Sequence, residues 1–236
     1  MMPFFKSIKL GLVNVFVMPC KNGYLLVDSG YPEDFEKIIN GLNQINISIE
    51  QIRYLFLTHH HIDHCGTAAA IKAASQARII AYKQIIPYLE NGNSSLDGSH
   101  PVSKRFAIFM RLVNRFSKTA DKYDSVSVDN NDIIIESDNS QLLRSIGIPA
   151  EILVTPGHTD TSLSIIFDNG DVICGDIAFN HPLLHLLGSR YQPIYIQSEN
   201  LVFESWRKII SKGAIRWFPS HGKDFKNIII SNKLSI

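Results

Sequence analysis

The sequence predicts an α+β fold of the αββα kind, two sheets faced with helices, and three observations carry that prediction. Strand-like and helix-like segments alternate in two successive series, one before residue 91 and one after residue 132. A polar, turn-rich stretch separates the two. The most distinctive run in the chain, His59-His60-His61-Ile62-Asp63-His64, lies where an apolar strand-like segment passes into an Ala-rich helix-like one. With 236 residues and 45% hydrophobic content, one domain over 1–236 can bury a large core.

Each element follows from its residues. Leu10–Met18, the Lys21-Asn22-Gly23 turn and Tyr24–Asp28 predict a β-hairpin. Lys6 and Lys9 ahead of an apolar run have the look of a signal peptide. Asn14 interrupts the run, however, and no small-residue cleavage site follows, so a cytoplasmic location is expected. A helix over Pro32–Leu42, a buried strand over Ile52–Thr58, a helix over Gly66–Ser75, a strand over Arg78–Ala81 and a helix over Lys83–Leu89 complete the first series. The second series reads as strands near 133–137 and 150–154, a hairpin over 162–175 turning at Asn169-Gly170, a helix over Leu201–Ser211 and a strand over Arg216–Pro219.

Between the series, 91–132 predicts a helical insertion. Asn91-Gly92-Asn93-Ser94-Ser95 and Asp129-Asn130-Asn131-Asp132 bound it, and Ser103–Thr119 forms its helix. Phe106, Phe109, Met110, Val113 and Phe116 recur at helical spacing, with Lys104, Arg111, Arg115 and Lys118 on another face. Three readings stay open: a cap whose apolar face lines a substrate pocket, a helix packed on the sandwich or a second subunit, and a basic amphipathic helix on a membrane.

The His-rich run carries the chemistry. On extended backbone, residues two apart point the same way, so His59 and His61 can hold one metal ion while His60 points elsewhere. Asp63 and His64 fall where the chain turns into the helix, toward a second ion. Three further ligand types follow strand-like segments: His158 in Pro156-Gly157-His158, Asp176 in Cys174-Gly175-Asp176 and His221 in Ser220-His221-Gly222. Grouped as His59, His61 and His158 on one ion and Asp63, His64 and His221 on the other, with Asp176 between, they leave a position for water. That position distinguishes a catalytic from a closed structural site. Zinc suits such sets, with iron and manganese as alternatives.

Taken in order, Val27-Asp28-Ser29-Gly30, the H-x-H-x-D-H run, Gly157-His158, Gly175-Asp176 and Ser220-His221-Gly222 resemble the motifs of metallo-β-lactamase-fold hydrolases. The resemblance extends from Asn14 to His221. It implies a hydrolase that activates water between two divalent ions, with Asp63 orienting that water and relaying its proton, and Asp28 orienting a ligand histidine. His61 stands where diiron oxygen reductases carry glutamate, and Asp176 supplies a bridging aspartate that β-lactamases generally lack. Phe179 replaces the tyrosine of acyl-homoserine-lactone lactonases. Gly175-Asp176-Ile177-Ala178-Phe179 is similar to the corresponding run of glyoxalase II, whose glutathione-binding residues and helical C-terminal domain have no counterpart here.

The expected substrate is a small carboxylic ester, thioester or lactone, in a pocket lined by Phe106, Phe109, Met110, Phe179 and Tyr191. A phosphodiesterase of the same fold and a metal-binding regulatory protein with little turnover are the alternatives. A net charge of +1 gives no field to draw in nucleic acid, and no run is long enough to span a membrane. The sequence therefore predicts no nucleic-acid or membrane partner and leaves a homodimer open. Cys20, Cys65 and Cys174 are scattered and odd in number, which argues against a disulfide framework. Cys65 and Cys174 read as small core residues.

Overall fold

Strands β1 (Lys6–Lys9), β2 (Asn14–Cys20) and β3 (Gly23–Val27) form an antiparallel meander, to which β4 (Ile52–Phe56), β5 (Arg78–Tyr82) and β6 (Ile133–Ile135) add in parallel. The computed structural model describes residues 3–116 and 122–234. It divides into two units, Met1–Ser95 with Asp121–Ile152 and Leu96–Ala120 with Leu153–Ile236.

In the first unit the sheet runs in the order β1-β2-β3-β4-β5-β6. Parallel neighbours require crossovers. Helix α1 (Phe35–Gln44) makes the first, α2 (Ile62–Cys65) and α3 (Ala68–Ser75) the second, and α4 (Ile86–Asn91) begins the third. Ile38 and Leu42 of α1 and Ala68 and Ile71 of α3 are buried in one cluster with Val15, Val17, Leu26, Leu55 and Ile79. Burying a Val, Leu or Ile side chain contributes roughly 1.5–3 kcal/mol, so this face holds the unit together.

The predicted helix Gly66–Ser75 is present but starts two residues later, at Ala68. Residues 62–65 form one turn, Gly66 and Thr67 follow outside it, and α3 starts at Ala68. Gly66 N–H is taken by the Gly30 carbonyl, and a Cβ at Gly66 would stand 2.5 Å from that same oxygen. The gap between α2 and α3 therefore lets the metal-motif loop press against the Asp28-Ser29-Gly30 turn. The predicted helix 83–89 likewise begins as a 3-10 turn over Lys83–Ile85, and the strand predicted near 133–137 ends at Ile135.

The insertion is an excursion stitched at its base. Asn93 bridges Lys122, Tyr123 N–H donates to the Gly92 carbonyl, and Val126 N–H donates to that of Leu89. Its middle belongs to the second unit and carries α5 (Lys104–Phe116). Residues 117–119 of the predicted helix, Lys118 among them, lie outside the described residues, as do the side chains of Val113, Arg115 and Phe116. Helix α6 (Leu142–Ser145), a single turn the sequence patterning did not mark, precedes the passage to the second unit through β7 (Ala150–Val154).

The second unit's sheet runs β11-β10-β9-β8-β7, from β8 (Leu163–Phe167), β9 (Asp171–Gly175), β10 (Arg216–Pro219) and β11 (Phe225–Lys226). Arg216 on β10 makes a two-pronged ion pair with Asp171 on the neighbouring β9, at 3.0 Å for each contact. Helix α7 (Pro182–Leu186) and helix α8 (Glu199–Ser211) follow β9, and α9 (Ile228–Leu234) ends the described chain. Ser198 caps α8, its hydroxyl accepting from Leu201 N–H. Val202, Trp206 and Ile209 recur along one face of α8 and are fully buried with Leu153, Val172 and Trp217. The two-residue strands His100–Pro101 and Tyr195–Ile196 pair antiparallel, tying the root of α5 to the segment before α8. Among the described residues, no helix is long and apolar enough to cross a membrane.

Candidate metal centre

In the first unit, the end of β4 delivers Thr58 to His61 and the one-turn helix α2 delivers Asp63 and His64. His59 Nε2 and His61 Nδ1 converge to 3.2 Å, as alternation along extended backbone predicts. His60 turns away. Its ring stacks on Tyr88 with centroids 3.9 Å apart, and its Nε2 lies 2.9 Å from the Ser95 carbonyl oxygen. Asp63 Oδ2 sits 3.7 Å from His64 Nε2.

Asp28 organises this loop from behind. It is fully buried in the left-handed region, at φ 63°, a conformation Asp tolerates better than most residues. Its Oδ1 accepts the Thr58 backbone N–H at 2.8 Å, and its Oδ2 accepts the Thr58 hydroxyl at 2.9 Å. The same Oδ2 lies 2.8 Å from His64 Nδ1. A carboxylate only accepts, so His64 carries its proton on Nδ1 and its lone pair on Nε2. The single Thr58 hydroxyl proton is donated to Asp28, so its oxygen, 3.1 Å from His59 Nδ1, accepts a hydrogen bond from that ring N–H. His59 too is left with its lone pair on Nε2. One carboxylate thereby sets the tautomer of two histidines, directly and through a threonine. Ser29 pins the His64 carbonyl with both N–H and hydroxyl, at 2.8 and 2.9 Å. Cys65 donates its thiol to the His59 carbonyl, and burial pushes that thiol's pKa well up, so it stays protonated.

In the second unit three separate loops bring ligand types together. Asp176 Oδ2 lies 3.5 Å from His158 Nε2 and 3.4 Å from His221 Nε2. His158 follows β7 in a turn that needs glycine: a Cβ at Gly157, φ 136°, would meet the Val202 backbone nitrogen at 2.4 Å. His158 Nδ1 donates to the Tyr195 carbonyl at 2.7 Å, which again leaves the lone pair on Nε2. Helix α8 holds two of these loops. Ser205 donates to the Pro156 carbonyl and Trp206 Nε1 to the Ile177 carbonyl, both at 2.7 Å. The Asp176 and His221 loops are stitched together by Asn180 N–H to the His221 carbonyl and Ser220 N–H to that of Gly175.

The aromatic residues divide. Phe179 is buried beside two histidines, its ring centroid 4.7 Å from His221 and 6.3 Å from His158. Phe106 is buried and meets Tyr195 edge-on at 5.3 Å. Tyr191 packs against His185 and Phe225, and its carbonyl accepts from Phe179 N–H. Phe109 is 37% exposed and Met110 half-buried. Thr58, the Tyr195 carbonyl and α8 are contributors that motif spacing did not single out. Thr58 immediately precedes the H-x-H-x-D-H run, yet only the position of Asp28, thirty residues earlier in the chain, gives it a role. Within each unit, carboxylate oxygen and lone-pair nitrogen converge at separations suited to divalent ions, and proton-acceptor partners fix the ring orientation of His59, His64 and His158. The donor set is nitrogen–oxygen, borderline in hardness, and fits zinc, iron or manganese.

A profile of the metallo-β-lactamase superfamily matches residues 8–221. The chain is 25% identical over 156 residues to "Probable metallo-hydrolase YflN" of Bacillus subtilis (strain 168), a match covering 66% of this chain and 55% of that relative. The matched segment thus spans little more than half the relative's length. The archaeal metallo-β-lactamase superfamily protein ST1585 from Sulfolobus tokodaii superposes with a TM-score of 0.67 at 19% identity, over all of this chain and 86% of its own. Rm3 metallo-β-lactamase gives 0.64 at 19% identity, covering 92% of this chain and 75% of its own. With the match extending over nearly the whole chain and both histidine–aspartate clusters within the matched residues, this protein belongs to the metallo-β-lactamase superfamily and takes its α+β fold.

Proposed function

We propose that the protein is a metal-dependent hydrolase of a small carboxylic ester, thioester or lactone. One observation carries the reading: buried oxygen acceptors commit His59, His64 and His158 to the tautomer that presents Nε2 as a ligand. In this reading His59, His61 and His158 hold one divalent ion and Asp63, His64 and His221 a second. Asp176, between His158 and His221, serves both. The donor set favours zinc. The ions would supply Lewis acidity, lowering the pKa of bound water toward about 7 and polarising a carbonyl oxygen.

The chain's own groups do the rest. Asp63, with 14% of its side chain exposed, keeps access to solvent and receives a proton that it returns to the leaving group. Asp28 and Thr58 keep two ligand rings from rotating. Phe179 fills the space beside His158 and His221 and keeps bulk water from them. Phe179 and Phe106 offer apolar surface for an acyl group, with Phe109, Met110 and Tyr191 further out along the same segments.

The test is metal content of the purified chain, measured alongside hydrolysis of chromogenic acyl esters, a thioester, a lactone and bis(nitrophenyl) phosphate. Two ions per chain with ester, thioester or lactone turnover is the expected result. Preferential phosphodiester cleavage would replace the acyl reading with a phosphodiesterase. Full metal loading without turnover on any substrate class would leave a metal-binding regulatory protein.

A further inference from the structure

The outer surface of α5 carries a residue pattern that neither hydrophobic core nor the histidine clusters use. Phe106, 2% exposed, is the helix's buried side. On the far side, by helical geometry, lie Ile108 and Leu112, 61% and 57% exposed. Lys104, Arg105 and Arg111 are exposed around them. Helix α7 adds Leu183 and Leu186, 47% and 69% exposed, with exposed Arg190 just beyond it. The two helices join where the Ser103 hydroxyl donates to the Leu187 carbonyl.

Charge separates this surface from the rest of the chain. The chain as a whole balances 23 Lys and Arg against 22 Asp and Glu, yet neither 98–120 nor 177–198 contains a single carboxylate. A helix face that meets only water mixes charges of both signs and turns its large aliphatic residues inward. Here cations and large aliphatic residues share the outward faces of α5 and α7, and neither helix carries a carboxylate of its own. That combination matches the boundary of an anionic bilayer, where aliphatic side chains enter the acyl region and cations meet lipid phosphates. A second copy of the chain fits less well, because an isologous seam would set cations against cations with no carboxylate in either stretch to offset them.

We propose that α5 and α7 dock the protein peripherally on an anionic lipid bilayer. The contact is shallow and reversible, since a short helix inserts only a few side chains.

Co-sedimentation of the full chain with phosphatidylcholine vesicles, with and without phosphatidylglycerol, tests this. Binding is expected only to the anionic vesicles and is expected to fall with added salt. Arg105→Glu with Arg111→Glu should lower the vesicle partition coefficient at least about tenfold. Ile108→Ser with Leu112→Ser should lower it comparably, with far-UV circular dichroism and metal content unchanged. Should the serine pair disturb folding, salt dependence and the charge reversal still decide. Absence of binding, equal binding to neutral vesicles, or anionic binding untouched by the charge reversal would overturn the proposal. A dimer in light scattering that Ile108→Ser with Leu112→Ser splits, without vesicle binding, would reassign the face to a subunit seam. Capture by an acidic protein without vesicle binding would overturn it equally.

Discussion

The two histidine–aspartate clusters are assembled by opposite routes. In the first unit, ligand types stand within six residues, and one carboxylate, Asp28, fixes two of the rings through a chain of hydrogen bonds. In the second unit, His158, Asp176 and His221 come from three loops separated by tens of residues. There the ends of β7, β9 and β10 set their spacing, and α8 locks the loops from behind. The first cluster is vulnerable at a single buried polar residue. The second depends on the packing of a helix against a sheet.

The largest effect should come from removing the group shared within the second cluster. Asp176→Ala is expected to reduce bound metal below two ions per chain and hydrolysis by about a hundredfold to a thousandfold. Elemental analysis with steady-state kinetics measures both, and wild-type loading in this variant would sink the ligand assignment. Asp28→Asn should lower metal affinity by about tenfold to a hundredfold. Thr58→Val, which removes only the relay to His59, should cost less than about tenfold. Competitive chelator titration ranks the two. If Thr58→Val equals Asp28→Asn, the direct Asp28–His64 bond is not the dominant restraint.

Trp206→Phe probes the other route. It keeps most of the buried ring but removes the bond to the Ile177 carbonyl, at an expected cost of about 1 kcal/mol, read as a lowered Tm. Metal affinity should fall modestly with it, through the Asp176 turn. A large affinity loss at unchanged Tm would mean that α8 positions the ligands by something other than packing. The smallest effect concerns the thiols. Burial raises the pKa of both Cys65 and Cys174, so alkylation of native protein should leave them unmodified until denaturant is added. Cys20, half-buried with its pKa raised to about 11, should label slowly.

Much of this was legible before folding. The H-x-H-x-D-H spacing identifies His59 and His61 as neighbours and His60 as the odd one out, and His60 indeed stacks on Tyr88 instead. Helix Leu201–Ser211 was readable from its apolar spacing, within two residues of its observed start. Other features escaped. The start of α3 beyond Gly66 arises from the approach of the Gly30 carbonyl, a contact between residues far apart in sequence. Helices α6, α7 and α9 are too short or too apolar for a 3.6-residue period to stand out. The split of 91–132, with its ends in the first unit and 96–120 in the second, depends on the pairing of Asn93 with Lys122 and of His100–Pro101 with Tyr195–Ile196.

The amino-acid sequence by itself determined the superfamily, through the resemblance of its ordered motifs, and the order of most of the elements, through short-range periodicity. Only the tertiary structure decided which nitrogen of His59, His64 and His158 keeps its lone pair, and which face of α5 is left in solvent. A tautomer is set by the acceptor across the fold, Asp28, Thr58 or the Tyr195 carbonyl, and the exposure of Ile108 and Leu112 by what Phe106 packs against. Both are properties of neighbours in space, which spacing along the chain does not carry.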